Sequence, residues 1–333
     1  MFTTGEKRVG MGHRSTLSSD PSSDGSRSQS ARLFEDGPPA QLDRKLCLRA
    51  AQSSCTLLLT GETGVGKGHL AMWLHRCSQR ANGPFIPVNC GAIPEDLIDS
   101  QLFGHAKGSF TGASSDHLGL VRAAEKGTLL LDEVSELPSS AQNRLLRLLQ
   151  DREVQPVGYS APVIVDVRVI AATNVDLKQF VKERKFREDL FYRLDVIQLQ
   201  VKPLRERPEE LQNLLHVFNA EFAELYQQQP LKFEASAREN LMHYRWPGNV
   251  RELRTLVERL HVLCPNECIS PSLLIDVGQL SDLLDPEDAR QGLKDVHLEE
   301  IRRVVVRSGG SVARAAEVFG VHRSTIYRWL SRS

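Results

Sequence analysis

Nothing in this chain of 333 residues marks it for a membrane or for export. Its longest apolar runs, such as Leu129-Leu130-Leu131, fall far short of the roughly 18 residues that a spanning helix needs. The N-terminus is Ser-rich and polar, without the apolar stretch of a secretory signal. Both absences lead to the expectation of a cytoplasmic protein with no membrane partner. Cysteine is scarce as well. The six cysteines (Cys47, Cys55, Cys77, Cys90, Cys264 and Cys268) lie mostly in apolar patterns, which suits buried thiols better than a disulfide framework. Cys264-x-x-x-Cys268 lacks a second ligand pair, which speaks against zinc. Excess charge is also missing. Forty-two basic residues balance 42 acidic ones, so bulk electrostatic attraction to nucleic acid is excluded while a local basic patch is not.

What is present begins with Gly61-Glu62-Thr63-Gly64-Val65-Gly66-Lys67-Gly68. It follows an apolar run from Cys55 to Leu59 and precedes a helical pattern from His69 to Gln79. Glycines free the backbone so that consecutive N–H groups converge on phosphate oxygens at a helix N-terminus, and Lys67 reaches the β and γ phosphates. Gly68 stands where a Ser or Thr would hold Mg²⁺, so the metal must rely on other ligands and water. Gly127-Thr128-Leu129-Leu130-Leu131-Asp132-Glu133 is an apolar strand ending in two carboxylates. Asp132 would hold Mg²⁺ and Glu133 would orient the attacking water, because phosphoryl transfer needs positioning and charge neutralisation. Alone, such a pair is as often a strand end meeting solvent; with Lys67 at this separation the functional reading wins. Asn174 closes the next strand pattern and could bond the γ phosphate or the water, or simply occupy a turn. Arg187, Arg193 and Arg251 are ambiguous on spacing alone, since exposed arginines commonly form solvated faces.

The patterns divide the chain. Residues 1–36, rich in Ser, Gly, Asp and Arg, read as disordered. Residues 37–206 alternate strand and helix patterns, with strands expected at Leu57 to Leu59, Phe85 to Val88, Thr128 to Leu131, Val165 to Ala171 and Val196 to Val201. This predicts an α/β fold with a parallel sheet flanked by helices. Residues 207–270 read as helices only, a small lid in which Trp246-Pro247-Gly248-Asn249 turns into a helix from Val250 to Leu263. Residues 271–292 read as a linker. In residues 293–333, two amphipathic segments separated by Gly320 predict a helix-turn-helix. Eight Lys or Arg against four Asp or Glu give this unit a local charge of +4. Arg323, Ser324, Thr325, Tyr327 and Arg328 are its candidate DNA contacts, whereas Ile326, Trp329 and Leu330 read as core.

Together these motifs resemble the sigma-54-dependent transcriptional activators, bacterial enhancer-binding proteins of the AAA+ class, over about residues 40–333. The most specific feature is Gly108-Ser109-Phe110-Thr111-Gly112-Ala113, similar to the family's G-A-F-T-G-A loop and preceded by Leu102-Phe103-Gly104-His105. The resemblance implies a ring, a hexamer, that uses ATP and Mg²⁺ to remodel the sigma-54 RNA polymerase holoenzyme while bound to double-stranded DNA upstream of the promoter. It implies that Phe110 and Thr111 touch sigma-54 from the loop tip. It also makes Arg187 and Arg193 arginine fingers for a neighbour's site, Arg251 a sensor in the lid, Asn174 a sensor at the strand end, and Asn89 a restraint on Glu133. Three positions depart from the family: Gly68 for an acidic residue, Ser109 for alanine and Gln101 for glutamate. With no receiver domain expected ahead of the ATPase, control would be constitutive or fall to a separate regulatory protein. The competing readings are a non-activating regulator or inactive partner subunit of the same ancestry, and a generic AAA+ remodelling ATPase. Intact Lys67, Asp132, Glu133, Arg187, Arg193 and Thr111 oppose the first, whereas Gly68 and Gln101 keep it open; the loop and the helix-turn-helix oppose the second.

Overall fold

A computed structural model describes residues 38–39, 41–109 and 114–278. The expectations for residues 1–36, for Phe110, Thr111, Gly112 and Ala113, and for the helix-turn-helix from 293 onward lie outside the described residues. The first unit runs α1 (Arg44–Gln52), β1 (Leu57–Thr60), α2 (Lys67–Arg76), β2 (Phe85–Asn89), α3 (Glu95–Phe103), α4 (Leu120–Ala123) and β3 (Thr128–Asp132). It continues with α5 (Ser139–Asp151), β4 (Glu153–Val154), β5 (Val163–Ile164), β6 (Arg168–Thr173), α6 (Leu177–Lys182), α7 (Glu188–Leu194) and β7 (Ile197–Gln200).

Five of these strands form one sheet in the order β2-β3-β6-β1-β7, parallel at every pairing. Strands buried on both faces need apolar residues at successive positions, which is why they read as continuous runs. Leu57, Leu59, Leu130, Ile170 and Ala172 share a core with residues of α1 and α2. Leu58, Leu129, Leu131, Val169 and Ala171 pack on the opposite side with α3, α5, α6 and α7. The register aligns Asn89 with Asp132 and Thr60 with Thr173, so the segments that follow β1, β2, β3 and β6 emerge at one edge. That edge is where an open parallel sheet binds ligands.

One strand differs from expectation. Val163–Ile164 belongs to a separate hairpin with β4, and the central strand begins only at Arg168. The break has a use. The Arg168 side chain is 1% exposed and donates to the Ala51 and Ala50 carbonyls at 2.7 and 2.6 Å. Those carbonyls end α1, where the helix dipole favours a cation.

The second unit contains α8 (Pro208–Leu225), α9 (Ala235–His243), α10 (Asn249–Leu263) and α11 (Pro271–Gly278) around a core that includes Phe218, Phe222, Leu241, Trp246, Leu253 and Leu260. It is not purely helical, because β8 (Lys232–Phe233) pairs in parallel with β9 (Cys268–Ile269). Pro271–Gly278, assigned on sequence grounds to the linker, is a helix whose Leu274 is buried in the lid core. Among the described residues no helix is long and apolar enough to cross a membrane.

Candidate nucleotide site

The loop after β1 enters α2 through Gly66, which has φ 102° and supplies no side-chain cap. The first N–H groups of α2 therefore have no side chain to satisfy them, the condition for an anion site. The preceding carbonyls are all held. Lys67 Nζ donates to the Gly61 and Glu62 carbonyls at 2.8 and 3.0 Å, and Asn249 Nδ2 donates to that of Thr63 at 3.0 Å. The Val250 N–H meets Gly64 O at 3.0 Å, and Arg207 Nη2 meets Val65 O at 3.2 Å. In a planar trans peptide the N–H points opposite the C=O. The carbonyls of Thr63, Gly64 and Val65, held by Asn249, Val250 and Arg207, thus turn the N–H groups of Gly64, Val65 and Gly66 away from those three partners.

Two glycines are required by contact as well as by φ. A Cβ on Gly61 (φ 147°) would sit 2.4 Å from Val201 O, and one on Gly64 (φ 79°) would sit 2.3 Å from Gly248 O. The second contact is with the lid.

A cavity of about 620 Å³ lies over the loop, lined by Thr63, Gly64, Gly66, Lys67 and Gly68 together with Asn89, Asp132, Glu133, Asn174 and Arg251. Gly61, Glu62 and Val65 were expected to touch nucleotide but do not line it. Gly61 packs on Val201, and the Val65 side chain is 1% exposed in the core. The Glu62 carboxylate turns to Arg205, at 2.6 and 3.0 Å, and to Asn249 Nδ2 at 3.1 Å. The Arg205 hydrogen bond holds that carboxyl below its usual range. Lys67 is 8% exposed; burial lowers its pKa, while Asp132 and Glu133 pull the other way.

On the far wall, Asp132 ends β3 and accepts from the Glu133 N–H at 3.0 Å. Glu133 itself is left-handed, φ 55°, a conformation that costs a non-glycine residue on the order of 1–3 kcal/mol and clusters at functional sites. Asn89 Oδ1 accepts from the N–H groups of Gly91 and Ala92 at 2.9 and 3.2 Å, shaping the 3₁₀ turn Cys90–Ala92. No hydrogen bond links Asn89 to Glu133 among the described residues. Asn174 Nδ2 donates to Thr63 Oγ1 at 3.0 Å, so this strand end touches the loop directly. The Cys90 thiol is pushed up to about 12 by burial, with Asp132, Glu133 and Glu136 adding to it, which leaves it unreactive.

The lid lines the cavity with Phe218 and Glu221 of α8 and Val250, Arg251 and Arg254 of α10, and it meets the loop through one turn. Trp246 and Asn249 both have φ 51°, and both are fully buried. Gly248 must lack a side chain, because its Cβ would lie 2.7 Å from that of Glu252. Glu252 in turn accepts from the Gly248 N–H at 2.8 Å and from Tyr244 Oη at 2.9 Å. Asn249 Oδ1 accepts from the Leu204 N–H at 2.8 Å. One amide thus joins the loop, the connection between the units and the lid. Sequence reasoning placed Asn249 in a turn and did not single out Arg205 or Arg207. The signal was faint: an Asn before a helix is common, and neither arginine carries a local sign that it reaches back to the loop.

Arg187 and Arg193 stand apart from this cavity. Arg187 grips Asp189 in a two-pronged ion pair, Nε to Oδ1 at 3.0 Å and Nη2 to Oδ2 at 2.7 Å, with its side chain 44% exposed. Arg193 is exposed on α7. Of the six loop residues singled out, Gly108 and Ser109 are described. The loop's neck is closed by reciprocal bonds between His105 and His117 at 3.0 and 2.9 Å, and by Gly104 and Gly119, which approach too closely for side chains.

With this geometry in hand, comparison with known proteins gives three matched regions. The sigma-54 interaction domain profile matches residues 36–200, the AAA+ ATPase lid domain 205–282 and the homeodomain-like domain 301–333. The chain is 38% identical over 340 residues to the DNA-binding transcriptional regulator NtrC of Bradyrhizobium, covering 92% of this chain and 70% of that one. It is 41% identical over 280 residues to the alginate biosynthesis transcriptional regulatory protein AlgB of Pseudomonas putida, covering 84% of this chain and 62% of that one. Among solved structures it resembles NtrX from Brucella abortus, at 34% identity and a TM-score of 0.67, covering 91% of this chain and 70% of that one. NtrX has also been solved in complex with ADP and with ATP.

Proposed function

The chain belongs to the sigma-54-dependent transcriptional regulators, and from that premise we propose that it is a DNA-bound activator that hydrolyses ATP as a ring to open promoter complexes of the sigma-54 holoenzyme. The observation that carries the reading is the convergence of Lys67, Asp132, Glu133 and Asn174 on one cavity over the glycine loop. The loop and Lys67 would hold the triphosphate, and Lys67 would exchange its carbonyl partners for phosphate oxygens. Asp132 would hold Mg²⁺: a carboxylate oxygen suits a hard cation that keeps several waters, and Gly68 leaves open space rather than a ligand. Bound there, the metal would neutralise charge on the phosphates. Glu133 would align the attacking water, and Asn174, already on Thr63, would stand beside the γ phosphate.

Arg187 and Arg193, exposed and outside their own cavity, fit a role in the site of an adjoining copy. Arg187 would give up Asp189 for phosphate, so turnover should rise steeply with protein concentration. Phe110 and Thr111 would make the sigma-54 contact, and Arg323, Ser324, Thr325, Tyr327 and Arg328 the DNA contact. Transcription in vitro from a sigma-54 promoter with purified protein and ATP tests the reading. Wild-type protein should form open complexes, and Thr111→Ala should lose them while still releasing phosphate. Promoter opening that persists without ATP hydrolysis would overturn it.

A further inference from the structure

The lid wall of the nucleotide cavity differs in chemistry from the sheet wall. Phe218 and Val250, 1% and 7% exposed, give it an apolar floor. Set into that floor is an acid. Glu221 on α8 is 9% exposed and lines the cavity, and its Oε1 accepts from Arg254 Nη2 at 3.1 Å. Arg254 in turn lies over the Phe222 ring, 4.9 Å from its centroid, so the acid is anchored by a group that is itself held. The other oxygen, Oε2, is buried and meets no donor among the described residues. A carboxylate can only accept, and a buried acceptor without a donor is destabilising. Such an atom in the wall of a cavity calls for a donor from outside the chain.

We propose that Glu221 is a specificity-determining residue for the nucleotide, accepting a hydrogen bond through Oε2 from the exocyclic 6-amino group of adenine. This rests on the ATP site proposed above and adds the choice of base. The donors of the ligand narrow the assignment. A triphosphate offers none and is repelled by an acid, so it belongs with Lys67, which leaves the base or the ribose. Walls of Phe218 and Val250, together with the planar groups of His69 and Arg254, suit a flat ring better than a sugar. Burial lowers the His69 pKa from 6.5, with Arg254 adding to it, so near neutral pH the imidazole brings no charge to compete for the acid. The terminal torsion of a glutamate is broad, and a small turn brings Oε2 to an entering base. Adenine presents an N–H donor at that point, whereas a 6-oxo purine presents a lone pair, and an acceptor facing an acceptor is rejected.

The test titrates the full chain, wild type and Glu221→Gln, with ATP, inosine triphosphate, purine riboside triphosphate and 2′-deoxy-ATP, alongside thermal melting. Purine riboside lacks the amine and puts nothing in its place. Wild type should bind ATP about ten- to hundredfold more tightly than either base analogue, and 2′-deoxy-ATP as tightly as ATP. Glu221→Gln keeps the shape, and its amide can donate as well as accept, so ATP should lead inosine triphosphate by no more than about threefold at unchanged Tm. A purely structural role would weaken every nucleotide together and leave the ratios alone; that result overturns the contact. So does a wild type that takes purine riboside triphosphate as tightly as ATP. A variant that changes only the 2′-deoxy ratio overturns it too, since the acid then serves the ribose. Should Glu221→Gln fail to fold, the purine riboside comparison in the wild type decides by itself. If no nucleoside triphosphate binds, the ATP reading fails and the base contact with it; if all bind alike, only the base contact fails.

Discussion

On the sheet side of the nucleotide cavity, each functional group stands at the end of a strand: Lys67 beyond β1, Asn89 on β2, Asp132 on β3 and Asn174 beyond β6. On the lid side, the contacts to the loop come from one turn and one connecting segment, through Asn249, Val250, Arg205 and Arg207. The sheet side is rigid because its strands are buried on both faces, with Leu57, Leu59 and Ile170 fully enclosed. The lid side is held by polar bonds to the loop's carbonyls. Chemistry is thus mounted on apolar packing, and the coupling between the units on hydrogen bonds. Such bonds are strong only while every partner is satisfied.

Four changes would break or sharpen this contrast. Glu133→Gln, on the sheet side, keeps shape and removes charge, so phosphate release should fall by about 10²–10⁴-fold while ATP still binds. An unaltered rate would remove Glu133 from the mechanism. Asn249→Ala, on the lid side, strips the Leu204 N–H of its buried partner and puts alanine at φ 51°. A loss of at least about 2 kcal/mol is expected, with weaker ATP binding, read by thermal unfolding and nucleotide titration.

Acid should act next. His261 is fully buried, and its Nε2 bonds Asn219 Oδ1 at 2.9 Å; that oxygen also accepts from the Leu231 N–H, so Nε2 carries the proton. His75 is buried beside Thr128 Oγ1 at 2.9 Å. Burial lowers both pKa values from 6.5. The unfolded chain therefore takes up protons first, and stability, whole above about pH 6.5, should fall as the pH drops below it. Substituting His261 should flatten the lid's part of that profile, as a melting series from pH 7.5 to about 5 would show. Arg205→Ala should matter least. Its ion pair with Glu62 is exposed, and such pairs contribute about 0–1 kcal/mol. A larger loss would mean that charge, as well as the Asn249 amide, couples the units.

The phosphate loop, the acid pair and the sheet strands were legible from residues 55 to 201 because their signals are local. A buried parallel strand needs an unbroken apolar run, and a phosphate loop needs glycines ahead of a lysine. Strand β6 was read too long because Val165 is buried like a strand residue although it lies between the hairpin and the sheet. The contiguous motif points to ligand contacts at Glu62 and Val65 through the backbone; only the structure shows that the Glu62 side chain turns to Arg205 and the Val65 side chain into the core.

The sequence by itself determined the chemistry available and the order of the elements, since glycine, lysine and paired carboxylates at these spacings carry their properties wherever the chain goes. Only the tertiary structure decided which atoms face the cavity. Three of the loop's five carbonyl anchors come from residues more than 140 positions away, and the Glu133 carboxylate rests where Gly91 has no side chain. Long-range contacts like these leave no periodic trace, because each depends on two segments meeting at a chosen angle rather than on the pattern of either one.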